Sequence, residues 1–144
     1  MFTVFEGSEK KCEVIMRDDT VDLRTLGDGF WSGLVRACSA TVLSTIRNDF
    51  CDAYLLSESS LFVWSDHFLL ITCGQTKLVE SILYFLDRVD NDQVAQVLFH
   101  RKNELYSEMQ HSNFADDVAR LREKVGGVQI EFGDKDSHYT ELYH

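Results

Sequence analysis

The chain has 144 residues and a formal net charge of −10 at pH 7. That length fits a single domain spanning 1–144, with enough chain to bury one core. The acidic balance argues against nucleic acid and against anionic membrane surfaces as partners.

No apolar run approaches the roughly 20 residues needed to span a bilayer, so no membrane segment is expected. The start of the chain lacks a basic region followed by an apolar block, so no signal peptide is expected and the localisation reads as cytoplasmic. Cys12, Cys38, Cys51 and Cys73 form no Cys-x-x-Cys pair and the histidines are scattered. A metal site is therefore not expected, and the thiols are expected to be reduced.

In chain order, residues 3–16 are rich in Phe, Val and Ile and read as a strand interrupted at Gly7. On a regular strand Glu6 and Glu9 point to opposite faces, because the side-chain period is two. A bulge at Gly7 or Ser8 would bring both carboxylates to one side. Taken alone, they read equally as two solvated glutamates. Residues 17–27 read as a loop. Asp28 then caps a helix to about Ala37, with Phe30, Leu34 and Ala37 as its apolar stripe. Residues 39–47 read as a strand, Asn48-Asp49 as a turn, and 51–56 as a returning strand. Residues 61–64 and 68–73 form a hairpin around Ser65-Asp66-His67.

The clearest helix covers 76–90, where Leu78, Val79, Ile82, Leu86 and Val89 recur at helical spacing. Residues 93–100 read as a strand and 101–111 as a polar loop. Ser112 caps a further helix to Val125, with Phe114, Val118, Leu121 and Val125 facing the core and Gly126-Gly127 ending it. Val128, Ile130 and Phe132 alternate with polar residues as a strand, and 139–143 reads as a last, frayed one. Several antiparallel strands with a few interspersed helices predict an α+β fold, an antiparallel sheet with its helices on one face.

The stretch with chemical potential is Leu55-Leu56-Ser57-Glu58-Ser59-Ser60-Leu61-Phe62-Val63, followed by Thr72-Cys73-Gly74. Ser57 to Ser60 reads as a tight turn between two strands. A second reading gives it a reaction. The Ser59 hydroxyl can attack the carbonyl of Glu58 before it, giving an ester. Elimination then breaks the chain and leaves a pyruvoyl group. Such a carbonyl forms a Schiff base with a substrate amine and draws electrons from a breaking bond.

These residues, with Phe5-Glu6-Gly7-Ser8-Glu9-Lys10, Glu13, Asp22-Leu23-Arg24 and Arg101-Lys102-Asn103 in the same order, resemble the eukaryotic-type S-adenosylmethionine decarboxylase family. The likeness runs from about Val4 to about Phe132 and corresponds to the first of the two similar halves of such enzymes. It implies cleavage between Glu58 and Ser59, with Ser59 becoming the pyruvoyl group. Cys73 is implied as the acid that returns a proton to carbon after carbon dioxide leaves, although a lone cysteine also reads as a small buried hydrophobe. Phe5 is implied to stack on the adenine of S-adenosylmethionine, and Glu6 and Glu9 to supply active-site carboxylates. Ile71 stands where animal enzymes with a putrescine-activation site carry Lys, while Glu13 keeps one carboxylate of that site.

The resemblance further implies half of an αββα four-layer sandwich and a role in spermidine synthesis. In long family members the second half supplies a Ser and a His for processing, another aromatic and a carboxylate. A homodimer or a complementary second-half chain is therefore expected as the partner. The alternatives are a non-catalytic regulatory half-subunit that pairs with another chain, or a fragment of a longer enzyme.

Overall fold

The computed structural model describes residues 9–17, 21–57, 59–72, 77–102, 114–125, 128–132 and 137–143. Its strands are β1 (Glu9–Met16), β2 (Val42–Arg47), β3 (Asp52–Leu56), β4 (Ser59–Val63), β5 (His67–Thr72), β6 (Val94–Lys102), β7 (Val128–Phe132) and β8 (Ser137–Tyr143). Its helices are α1 (Asp28–Ala37), α2 (Leu78–Arg88) and α3 (Phe114–Val125). All eight strands join one sheet in the order β2-β3-β4-β5-β1-β6-β8-β7. Every neighbouring pair is antiparallel. The fold is α+β, as the pattern of elements predicts.

The core lies between one sheet face and the helices. Along β1, Lys10, Cys12, Val14 and Met16 are buried while the residues between them are not. Phe68, Leu70 and Thr72 do the same on β5, and Leu61 and Val63 on β4. This is the period-two burial of a sheet covered on one side. Trp31 of α1 and Phe85 of α2 close the layer over Phe68, with ring centroids 5.3 Å and 4.8 Å from it. The Trp31 indole nitrogen donates to the Leu23 carbonyl at 3.2 Å, so the largest core side chain leaves no polar atom unpaired. Arg120 of α3 bonds Glu80 of α2 at 2.7 Å, and Lys124 pairs with Asp87.

Several elements depart from the sequence expectations. Residues 23–26, expected as loop, form a single 3-10 turn whose first N–H groups are capped by Asp22. Asp28 does not cap α1. Gly27 occupies that position with φ +93°, a conformation suited to glycine. Asp28 is free to pair instead with Arg47 and Tyr54. The buried face of α1 is Trp31, Gly33, Leu34 and Val35, while Phe30 and Ala37 of the expected stripe are only half-buried. A Cβ at Gly33 would lie 2.2 Å from the Tyr84 hydroxyl oxygen, so α1 and α2 approach through a glycine. Apolar periodicity does not register a glycine as a packing residue.

On β6, a regular alternation would put Val94 on the same face as Leu98. The register slips between Ile15 and Met16, where Val94 and Gln96 oppose consecutive β1 residues and Ala95 is extra. The bulge inverts the alternation, so Val94 joins Val97 and Phe99 on the covered face. β8 is not a frayed edge. It pairs with β6 on one side and β7 on the other. β6 runs two residues further than expected, to Lys102. The proposed Ser112 cap and most of the 101–111 loop lie outside the described residues. So does the expected bulge at Gly7 or Ser8.

Candidate active site at the Ser59 hairpin

β3 and β4 form a tight hairpin. Leu56 pairs with Ser59, so only two residues of chain separate the paired strands. The expected four-residue kink is thus shorter, and Ser59 and Ser60 already belong to β4. Two-residue loops are the favoured hairpin connection because their backbone twist matches that of the flanking strands. The sheet register extends the Leu56–Ser59 pair sideways. Ser59 faces Thr72 on β5, Thr72 faces Lys10 on β1, and Lys10 faces Arg101 on β6. One row therefore crosses the sheet at the end where β1 and β4 begin and β5 finishes.

This row belongs to the helix-covered face, in step with the buried Leu61, Leu70 and Cys12 of neighbouring rows. Thr72 is 0% exposed and Lys10 is 2% exposed. The Ser59 Oγ and the Thr72 Oγ1 are both buried and, among the described residues, neither has a hydrogen-bond partner. Buried hydroxyls are usually paired, so two orphans opposite one another mark the row as unusual. The helices pack on this face, so a second sheet would meet the opposite one.

Among the other expected site residues, Glu9 is the first residue of β1 and pairs with Lys102. Phe5, Glu6, Glu58 and Cys73 lie outside the described residues. Two of them are nevertheless adjacent in the chain to the row: Glu58 precedes Ser59 and Cys73 follows Thr72. Sequence reasoning gave Thr72 and Lys10 no role. A signal was present: each is the one polar residue of an otherwise apolar alternation, Phe68-Leu70-Thr72 and Lys10-Cys12-Val14-Met16.

Other polar clusters serve the scaffold. Arg24 binds Asp52 at 2.8 Å and the carbonyls of Asn48 and Asp49 at 2.6 Å and 3.0 Å, fastening the 3-10 turn to the β2–β3 turn. Its hydrogen bond to Asp52 holds the guanidinium even more firmly in its charged form. On the open sheet face His67 stacks on Trp64 at 4.2 Å and lies 3.6 Å from Glu13. Cys12, fully buried, has its thiol pushed far up by desolvation, with Glu13 adding to the shift. It is an inert core thiol. Among the described residues no three His, Cys, Asp or Glu side chains converge as they would around a metal ion. No described helix is long and apolar enough to cross a membrane.

The family profile described as adenosylmethionine decarboxylase matches residues 2–144. The chain belongs to the adenosylmethionine decarboxylase family. It is 40% identical over 149 residues to the S-adenosylmethionine decarboxylase proenzyme of Leishmania donovani, covering 96% of this chain and 39% of that one. The Trypanosoma cruzi proenzyme is likewise 40% identical, with 96% and 40% covered. The Drosophila melanogaster proenzyme is 32% identical over 126 residues, covering 81% of this chain and 36% of that relative. The chain thus spans about two-fifths of the length of these relatives and corresponds to their N-terminal part. Within the stretch singled out in the sequence, Leu56 and Ser59 are the β3–β4 pair at the end of the polar row.

Proposed function

We propose that this chain carries the self-processing serine of a pyruvoyl-dependent S-adenosylmethionine decarboxylase acting in spermidine synthesis in the cytoplasm. The observation that carries the reading is Ser59 itself: it opens β4 opposite Leu56 of β3, and its hydroxyl is buried without a partner among the described residues. Among the described residues no hydrogen bond fixes the hydroxyl in another direction, and burial shields it from competing water.

In processing, the Ser59 Oγ attacks the Glu58 carbonyl carbon. A C–O bond forms, the C–N bond breaks, and the hydroxyl proton passes to the nitrogen, giving an ester. Loss of the Ser59 α-proton then expels the Glu58 carboxylate from Cβ. Water finally replaces the nitrogen, which leaves as ammonia. The pieces are 1–58 and 59–144. The group left at residue 59 would supply a carbonyl electron sink for loss of the substrate carboxylate as carbon dioxide. Around it, Cys73 would hold the proton for the product carbon, and Glu6 and Glu9 would place negative charge near the substrate sulfonium. Phe5 would stack on the adenine.

Intact-mass spectrometry with hydroxylamine trapping tests this reading. The expected result is two fragments split at Glu58–Ser59, with the ester intercepted early. A chain that stays whole, alone and with family partners, removes the catalytic reading. A second reading is favoured by the chain's spanning only about two-fifths of its relatives. In it, the chain is a non-catalytic half-subunit or a portion of a longer enzyme and acts by pairing. Release of carbon dioxide from labelled substrate, with and without a longer family member, separates the two.

A further inference from the structure

We propose that Thr72 is a positioning residue for Ser59, its hydroxyl orienting the serine for the acyl shift. The inference rests on the reading of Ser59 as the processing serine. It goes beyond that reading in assigning a function to a residue on a different strand.

Three observations converge. Ser59 and Thr72 are directly opposite in the β4–β5 register, which puts their β-carbons about 4.5–5.5 Å apart and on one face of the sheet. Both hydroxyls are buried and neither has a partner among the described residues. The residues around them in the neighbouring rows, Leu61, Leu70 and Cys12, are buried and apolar. Valine has the shape of threonine without the hydroxyl and would suit this strand position better, because burying an unpaired hydroxyl is costly. Packing therefore gives no reason for an oxygen at residue 72. A side-chain rotamer that turned the two oxygens toward each other would give each the partner the other lacks.

The chemistry sets the kind of role. An alcohol cannot hold the serine proton at neutral pH, so Thr72 is not a general base. It accepts a hydrogen bond from the Ser59 hydroxyl, or donates one to it, and selects the rotamer in which a lone pair faces the preceding carbonyl. The proton still travels from Ser59 to the leaving nitrogen, so no further reactant is needed. Lys10 lies in the same row beyond Thr72 and is separated from Ser59 by the whole of β5, so it does not replace this contact.

The experiment follows processing of the freshly translated full chain by intact mass, comparing wild type with Thr72→Val and Thr72→Ser. Thr72→Val should slow appearance of the 1–58 and 59–144 fragments at least about tenfold, since misplacing a reacting group costs rate steeply. Thr72→Ser, which keeps the hydroxyl, should restore most of the rate. Circular dichroism and Tm should show both variants folded. Equal cleavage in wild type and Thr72→Val overturns the proposal and leaves the processing reading intact. A loss that serine does not rescue overturns it too, because shape rather than the hydroxyl is then responsible. If even the wild type never splits, alone or with a longer family member, the processing reading fails by itself, and a thermal double-mutant cycle decides the contact on intact chains. With Ser59→Ala and Thr72→Val, non-additive Tm shifts support the hydroxyl pair and additive shifts overturn it.

Discussion

Tyr54 joins two parts of the chain through one proton. Its hydroxyl donates to Asp28 Oδ1 at 2.9 Å, and Asp28 also binds Arg47. Burial, with the Asp28 carboxylate adding to it, pushes the phenol from 10.0 up to about 12. A group whose pKa is raised on folding stabilises the fold fully below its unfolded pKa. That contribution is lost as pH rises from 10.0 through about 12. Tyr54→Phe should therefore cost about 1 kcal/mol near neutral pH through the lost hydrogen bond, yet flatten the alkaline decline. Urea unfolding midpoints across the alkaline range check this, and an unchanged slope in the variant removes Tyr54 as its source. At this scale the sequence was partly legible. Ser59 stood out because its neighbours spell a reaction. Thr72 did not, because its meaning comes from the strand pairing opposite it, which no local pattern contains.

Gly33 decides how close α1 and α2 can lie. An alanine there would gain up to about 1 kcal/mol of helix propensity over glycine. Its methyl would also meet the Tyr84 hydroxyl oxygen at 2.2 Å and its ring carbon at 2.9 Å. Tyr84 would have to move for the methyl to fit, giving up its contacts with Arg88, 3.6 Å over its ring, and with Phe30. The clash outweighs the propensity, so Gly33→Ala should lower stability by about 1–3 kcal/mol. Adding Tyr84→Ala should recover part of the loss. A Gly33→Ala chain as stable as wild type would show that the helices simply slide apart. The same contact explains what sequence reading found and missed among the elements. α2 declared itself through Leu78, Ile82 and Leu86, all buried as expected. α1 was found, but of its expected stripe only Leu34 is fully buried, because the contact is also built on a glycine and on Trp31. β8 was underrated because its support comes from β6 and β7, distant in sequence on one side. The Ala95 bulge, which inverts one end of β6, leaves no mark on composition.

Among the described residues, one sheet face packs against the helices and the other is not covered by them. On the second face one row runs Phe62, Leu69, Glu13 and Leu98 across β4, β5, β1 and β6. The next runs Leu55, Ser60, Ile71 and Lys11. Large apolar side chains therefore surround a central acid and base. Eight strands at about 4.8 Å spacing, each about 17 Å long, give a face of roughly 650 Å². That is close to the roughly 800 Å² each partner contributes to a standard interface. A second copy facing it across a two-fold axis could set Lys11 near the partner's carboxylates and cover the leucines on both sides. The expected outcome is a dimer at low micromolar concentration in sedimentation velocity. Leu69→Glu should make it monomeric without unfolding it, because in the single chain that side chain lies on the face the helices leave uncovered. A monodisperse wild-type monomer that instead forms a one-to-one complex with a longer family member would identify the occupant as a complementary chain. A monomer that binds neither would defeat the prediction. Because Ser59 lies in the helix-side row, disrupting this face should change association first. Cleavage at Glu58–Ser59 should follow only if a partner completes the site around the hairpin.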